Sequence, residues 1–178
     1  AVHCHQPVII RYPKGSGGNQ AWNVPFKSMT IGESIITKKG TDCCILALGS
    51  MLDEAMRAAE VLRKSGISVQ VINARFAKPL DHAKLDQVLD QFNCILTLED
   101  GSKIGGFGSA IVSYANENNY KGNVHVLGYP DEFIDHASRE ELLHLYGLDA
   151  DGIVNKSQHL TCHNYPFCPS QGNTGLFL

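Results

Sequence analysis

The chain contains no apolar run near the ~20 residues needed to cross a bilayer, and none is visible anywhere in its 178 residues. That excludes a helical membrane protein. The opening Ala1-Val-His-Cys-His5 has no charged start and no apolar centre, so it is not a signal peptide. It has no initiator Met either, and it reads as a chain that begins mid-protein. Basic residues are not in excess: 15 Lys and Arg stand against 18 Asp and Glu, a net charge of −3. Nucleic acid, whose recognition rests on a basic face, is therefore not an expected partner. There is no Cys-x-x-Cys pair among the six cysteines Cys4, Cys43, Cys44, Cys94, Cys162 and Cys168. The flanking groups His3-Cys4-His5 and His159, Cys162, His163, Cys168 lack the short fixed spacings of structural zinc. A nucleophile elbow needs Gly-x-Ser-x-Gly, and Gly49-Ser50-Met51 does not supply it.

What is present is an ordinary soluble composition, 43% hydrophobic and 19% charged. The length suits one domain with extra ends. Cys43, Cys44 and Cys94 fall in or beside apolar runs, where a free thiol behaves as a small hydrophobe. This favours a reducing compartment over a disulfide scaffold.

The pattern alternates strand and helix. Pro7 to Pro13 reads as a short apolar strand ending at Arg11, and Lys14 to Gln20 as a flexible linker. Trp22 to Phe26 is expected to lie over a surface, and Ser28 to Lys39 to form an edge strand or hairpin. Cys43 to Leu48 is a continuous apolar run, as in a strand covered on both faces. Ser50 with Asp53 resembles a capping box. It opens a helix with Leu52, Ala55, Met56, Ala59 and Leu62 at helical spacing, stopped by Gly66. Further strands are expected over Ile67 to Ile72, Cys94 to Leu98 and Asn123 to Leu127. A helix carrying Leu85, Val88, Leu89 and Phe92 precedes the second of these, and one opening near Ser109 follows it. Ser138-Arg-Glu-Glu141 forms another capping box, and Asp149 is placed to cap one more turn. Such alternation means crossover connections and a mainly parallel sheet. After about Lys156 the periodicity fades, and His159 to Leu178 reads as an irregular tail.

The stretch from Thr97 to Tyr114 organises the chain. An apolar strand turns through Glu99, Asp100 and Gly101 into a loop, Gly105-Gly-Phe-Gly108, and then a helix. Strand ends of open α/β sheets gather ligand contacts, and amides at a helix start favour anions. The glycines do not make the full dinucleotide fingerprint, so a packing and interface loop is favoured over a cofactor cradle. Glu99 and Asp100 could form an acid–base pair or satisfy helix-start amides, the latter being the preferred reading. His136 could shuttle protons or be a surface loop histidine. Arg11 closes an apolar strand beside a Lys14-Gly loop. Its guanidinium suits a phosphate or carboxylate, or equally an ion pair with a carboxylate such as Glu99.

Seven runs then occur in order: Arg11-Tyr-Pro-Lys-Gly15, Ile31-Gly-Glu33, Ile45-Leu-Ala-Leu-Gly-Ser50, Asn73-Ala-Arg-Phe-Ala-Lys-Pro-Leu-Asp81, Gly105-Gly-Phe-Gly108, Gly128-Tyr-Pro-Asp-Glu-Phe-Ile134 and Gly147-Leu-Asp-Ala-Asp-Gly152. Together, from about Pro7 to Lys156, they resemble the C-terminal part of the 1-deoxy-D-xylulose-5-phosphate synthase family. The resemblance implies a three-layer α/β fold. Its mainly parallel five-stranded sheet has one antiparallel edge strand and helices on both faces, as in the transketolase C-terminal domain. It implies three segments: 1–18, the end of a pyrimidine-binding domain and its linker; 19–156, the transketolase C-terminal-like domain; and 157–178, the irregular tail. The family condenses pyruvate with glyceraldehyde 3-phosphate, releasing carbon dioxide, with thiamine diphosphate and magnesium, as a cytoplasmic or plastid-stromal homodimer. The family's Gly-Asp-Gly…Asn metal motif and its activating glutamate belong to earlier domains. No cofactor is therefore expected on this chain alone, no catalytic residue is assigned, and the isolated chain is expected to be inactive. Arg11 matches the family arginine implied to bind the substrate phosphate. Alternative readings of the layout are a free-standing α/β anion- or partner-binding module, and the C-terminal domain found in the beta chain of an oxo-acid dehydrogenase.

Overall fold

The computed structural model describes residues 4–12, 25 and 27–162. The linker at Lys14 to Gln20 and Trp22 lie outside the described residues. Five strands, β1 (Ile35–Lys38), β2 (Cys43–Ala47), β3 (Val69–Asn73), β4 (Cys94–Ser102) and β5 (Asn123–Tyr129), form one sheet in the order β1-β3-β2-β4-β5. β1 runs antiparallel along one edge, and the other pairings are parallel. The helices are α1 (Met51–Lys64), α2 (His82–Gln91), α3 (Phe107–Glu117), α4 (Arg139–Leu145) and α5 (Ala150–Cys162).

The continuous apolar runs make a sheet buried on both faces because successive side chains alternate across it. Cys43, Ile45 and Ala47 join Leu96 and Leu98 in a core beneath α1, α4 and α5, with Ala55, Ala59, Leu143 and Ile153. Cys44, Leu46 and Ile95 face the opposite core with Leu85 and Val88 of α2 and Phe107 and Ile111 of α3. The expected three layers result, with the adjacent cysteines Cys43 and Cys44 on opposite faces.

α1 buries a stripe of small residues, Ala55, Ala58 and Ala59, which brings it close to the sheet. It ends in a left-handed turn at Gly66, φ +82°, where the Gly66 and Ile67 amides return to the Arg63 and Leu62 carbonyls. Glu54 is buried on α1 and links it to α5: its Oε2 accepts from the Ala150 amide at 3.0 Å, and Arg57 pairs with its other oxygen.

Five local expectations are corrected. Pro7 to Pro13 forms no strand among the described residues; Ile9 and Tyr12 are exposed, and no ladder partner among those residues meets them. Extended backbone needs a neighbouring edge to become a strand. Ser50 does not cap α1 with its side chain; its hydroxyl is drawn to Asp100 instead. β4 does not turn at Glu99 but continues to Ser102, crossing a register irregularity between Leu98 and Ser102. α3 begins at Phe107, ahead of Ser109. α5 runs to Cys162, past the point where apolar periodicity fades, because Ser157 is still fully buried and Leu160 still packs against the core; Asp149 Oδ1 accepts from the Gly152 amide at 2.8 Å at its start. The Ser138 capping box is present on both sides.

Candidate functional site at the carboxyl edge of the sheet

The carboxyl ends of β2 and β4 and the starts of α1, α3 and α4 converge at one edge of the sheet. Glu99 stands at its centre, almost fully buried. Its two carboxylate oxygens accept from the amides of Phe107 (2.8 Å) and Gly108 (2.9 Å), the first turn of α3. A carboxylate there is stabilised by the helix dipole and by charge-assisted hydrogen bonds. Gly106 leaves room for it, since a Cβ at that position would collide with the Glu99 carboxyl and the Ser102 carbonyl. The glycine loop therefore wraps an internal carboxylate. The anion position at the start of α3 is filled by the chain itself, in line with the packing half of the loop's reading. Glu99 satisfies helix-start amides, as preferred, and is not half of an acid–base pair with Asp100.

Asp100 points the other way. Its Oδ2 accepts from Arg139 Nε at 2.9 Å and from the Ser50 hydroxyl at 3.2 Å, and Arg139 Nη2 donates to the Ser50 hydroxyl at 3.1 Å. Tyr129, at the end of β5, lies beside them and stacks edge-on with Tyr146 at 5.4 Å between centroids. Burial first, then the Asp100 carboxylate, pushes the Tyr129 phenol up to about 12. These groups open onto a cavity of about 380 Å³, lined also by Asp135, His136 and Leu142.

Arg11 reaches the same edge. Its Nη2 donates to the main-chain carbonyl of Asp100 at 2.7 Å, and its guanidinium lies over Gly101. Among the described residues it forms no ion pair, so the Glu99 salt bridge is not made. The always-charged guanidinium keeps its remaining donors exposed.

The other sequence candidates do not join this cluster, except His136, which is exposed on the rim of the cavity. No group of three metal-ligating side chains occurs among the described residues. His3, His163 and Cys168, and the side chains of His159 and Cys162, fall outside that description. The residues missed from sequence were Ser50, Tyr129 and Arg139. The only signal for them was position: Ser50 and Tyr129 end apolar runs, and Arg139 follows a helix cap.

Comparison with known proteins places the chain in a class. Residues 32–153 match the model of the transketolase C-terminal domain. The chain belongs to the transketolase C-terminal domain family. More particularly, it is 42% identical over 151 residues to 1-deoxy-D-xylulose-5-phosphate synthases of Bacillus cereus (strain AH187) and Bacillus anthracis. That match covers 84% of this chain and 24% of the length of those relatives. Among solved structures, a split-gene transketolase, described as an inactive β4 tetramer, superposes with a TM-score of 0.67 at 32% identity, covering 78% of this chain and 43% of that one. A transketolase mutant from Pichia stipitis, at 20% identity and TM-score 0.54, covers 75% of this chain and 18% of that one and supports the fold alone. No helix among the described residues is long and apolar enough to cross a membrane.

Proposed function

We propose that this chain is the C-terminal portion of a 1-deoxy-D-xylulose-5-phosphate synthase, in which Arg11 binds the phosphate of glyceraldehyde 3-phosphate. The observation that carries the reading is Arg11 itself. It is an exposed guanidinium, without an ion-pair partner among the described residues, at the carboxyl edge of a parallel sheet, in a chain 42% identical over 151 residues to synthases. A guanidinium with open donors takes a phosphate bidentately. Held by the Asp100 carbonyl, it fixes where the acceptor's charged end sits, and so where its aldehyde carbon lies. Segment 1–18 as the end of a pyrimidine-binding domain, and the C-terminal domain from residue 19 onward, carried past 156 by α5 to Cys162, are part of this reading. So are a homodimer with the remaining domains of the synthase and a cytoplasmic or plastid-stromal setting.

Thiamine diphosphate, when bound in such an enzyme, supplies the carbanion that attacks the acceptor. The described residues of this chain do not fit it. The α3 amides that could cradle a diphosphate are occupied by Glu99, and no metal-ligating group accompanies them among the described residues. The cofactor belongs, on this reading, to the preceding domains.

The experiment is product formation from pyruvate and glyceraldehyde 3-phosphate with thiamine diphosphate and magnesium. The isolated chain is expected to give none, and the full-length protein carrying it to give deoxyxylulose phosphate. Carbon dioxide release above background by the purified chain, or a full-length protein that makes no deoxyxylulose phosphate, overturns the reading.

A further inference from the structure

We propose that Arg139 is a positioning residue for Arg11, acting through Asp100. The inference rests on the phosphate-binding reading of Arg11. Arg11 lies in a segment, residues 4–12, that contains no helix or strand. Among the described residues its guanidinium has one hydrogen-bond acceptor, the Asp100 carbonyl at 2.7 Å. The aim of the guanidinium is thus set by the Asp100 peptide. That peptide falls within the irregularity between Leu98 and Ser102, where the pairing with β5 is interrupted. The regular register does not run through it, and side chains anchor it as well.

On one side Glu99 is tied to the start of α3. On the other, the Asp100 carboxylate is held by Arg139 Nε at 2.9 Å and by the Ser50 hydroxyl at 3.2 Å, and Arg139 closes the triangle to Ser50 at 3.1 Å. The following residue is confined too: a Cβ on Gly128 would stand 2.8 Å from the Gly101 carbonyl, so β5 presses against this turn without a side chain between. The starts of α1 and α4 therefore grip the Asp100 side chain, while the start of α3 holds Glu99 before it and β5 backs Gly101 after it. The two arginines have different tasks. The charge of Arg139 is neutralised by Asp100, which leaves it a poor second phosphate anchor. The charge of Arg11 has no such partner among the described residues.

The test uses the full-length enzyme carrying this sequence, with glyceraldehyde 3-phosphate and unphosphorylated glyceraldehyde compared. A small misplacement of a binding group costs substantial rate, so Arg139→Gln should lower kcat/KM for the phosphorylated aldehyde about tenfold. The unphosphorylated aldehyde should be little affected. Arg139→Lys should recover part of the loss, because an ammonium can pair with Asp100 without reproducing the two-point contact to Asp100 and Ser50. Ser50→Ala, a milder change that guards against misfolding, should give a smaller loss of the same selectivity. On an Arg11→Ala background, Arg139→Gln should add nothing, since residues acting through one contact are not additive. Arg139→Gln losses that are equal for both aldehydes, or fully additive with Arg11→Ala, overturn the positioning role. If Arg11→Ala is selective while both Arg139→Gln and Ser50→Ala are silent, only this inference fails. If Arg11→Ala is itself unselective, the phosphate reading fails and takes this one with it.

Discussion

Cys43 and Cys94 show how far a single residue could be read from its neighbours in sequence. Each sits in an apolar run, and each proves fully or almost fully buried. Burial, with smaller contributions from Cys94 and Asp42, pushes the Cys43 thiol up to about 12, and burial alone pushes Cys94 up to about 11. A thiol held protonated is a poor nucleophile. Iodoacetamide at pH 8 is therefore expected to leave Cys43, Cys44 and Cys94 unmodified in the folded chain and to label all three in denaturant, as read by peptide mass. Rapid labelling of the folded chain would contradict their burial. Glu141 gives a pH-dependent counterpart. The Ser138 hydroxyl, then the Ser138 amide, hold its carboxyl below its ordinary value of 4.5. A depressed carboxylate adds stability that is fully present above the ordinary value and is lost as pH falls through the folded one. Ser138→Ala should therefore destabilise the chain more at pH 7 than in acid, where only the pH-independent contact of the Ser138 hydroxyl with the Glu141 amide remains to be lost, as followed by denaturant midpoints. Arg11 is the opposite case for legibility. Its residue type permitted a phosphate or an ion pair with Glu99, and nothing local separated them. The absence of the Glu99 ion pair depended on where Glu99 pointed, a contact eight and nine residues along the chain.

At the scale of elements, apolar periodicity located strands and helices where burial drives them, and missed where hydrogen bonds do. β2 falls where a continuous apolar run stands, and β3 and β5 where apolar residues recur with a polar residue between. The last residues of β4 are Glu99, Asp100, Gly101 and Ser102, a polar set that reads as a turn, yet they stay extended because α3 and Arg139 take up their side chains. α5 likewise outlasts its apolar pattern. Ser50 carried a capping signature that its hydroxyl does not fulfil, since Asp100 and Arg139 compete for it. The internal cap of α3 can be tested directly. Glu99→Ala leaves the buried Phe107 and Gly108 amides without an acceptor. Losing charge-assisted bonds to buried donors costs about 2–4 kcal/mol. In a chain of this size that lowers the melting temperature by roughly 5–15 °C. Glu99→Gln, which keeps one acceptor oxygen, should lose less. A melting temperature unchanged by Glu99→Ala would mean that the carboxylate does not hold the start of α3.

For the whole molecule, the strand–helix alternation was sufficient to read a three-layer sheet, and seven ordered motifs were sufficient to suggest its family. The carboxyl-edge cluster was not legible in the same way. Ser50, Asp100 and Arg139 are far apart in the chain and meet only because the crossovers bring the starts of α1 and α4 to the end of β4. The central claim is that this edge holds the phosphate of a sugar-phosphate acceptor through Arg11. The measurement that tests it most directly is kcat/KM for glyceraldehyde 3-phosphate and for unphosphorylated glyceraldehyde, in the full-length enzyme with and without Arg11→Ala, alongside melting. Loss of a charge-assisted, partly desolvated contact of about 2–4 kcal/mol predicts a roughly hundredfold fall for the phosphorylated aldehyde alone, with the melting temperature nearly unchanged. Equal losses for both aldehydes, with a melting temperature lowered by several degrees, would contradict it and make Arg11 a structural residue.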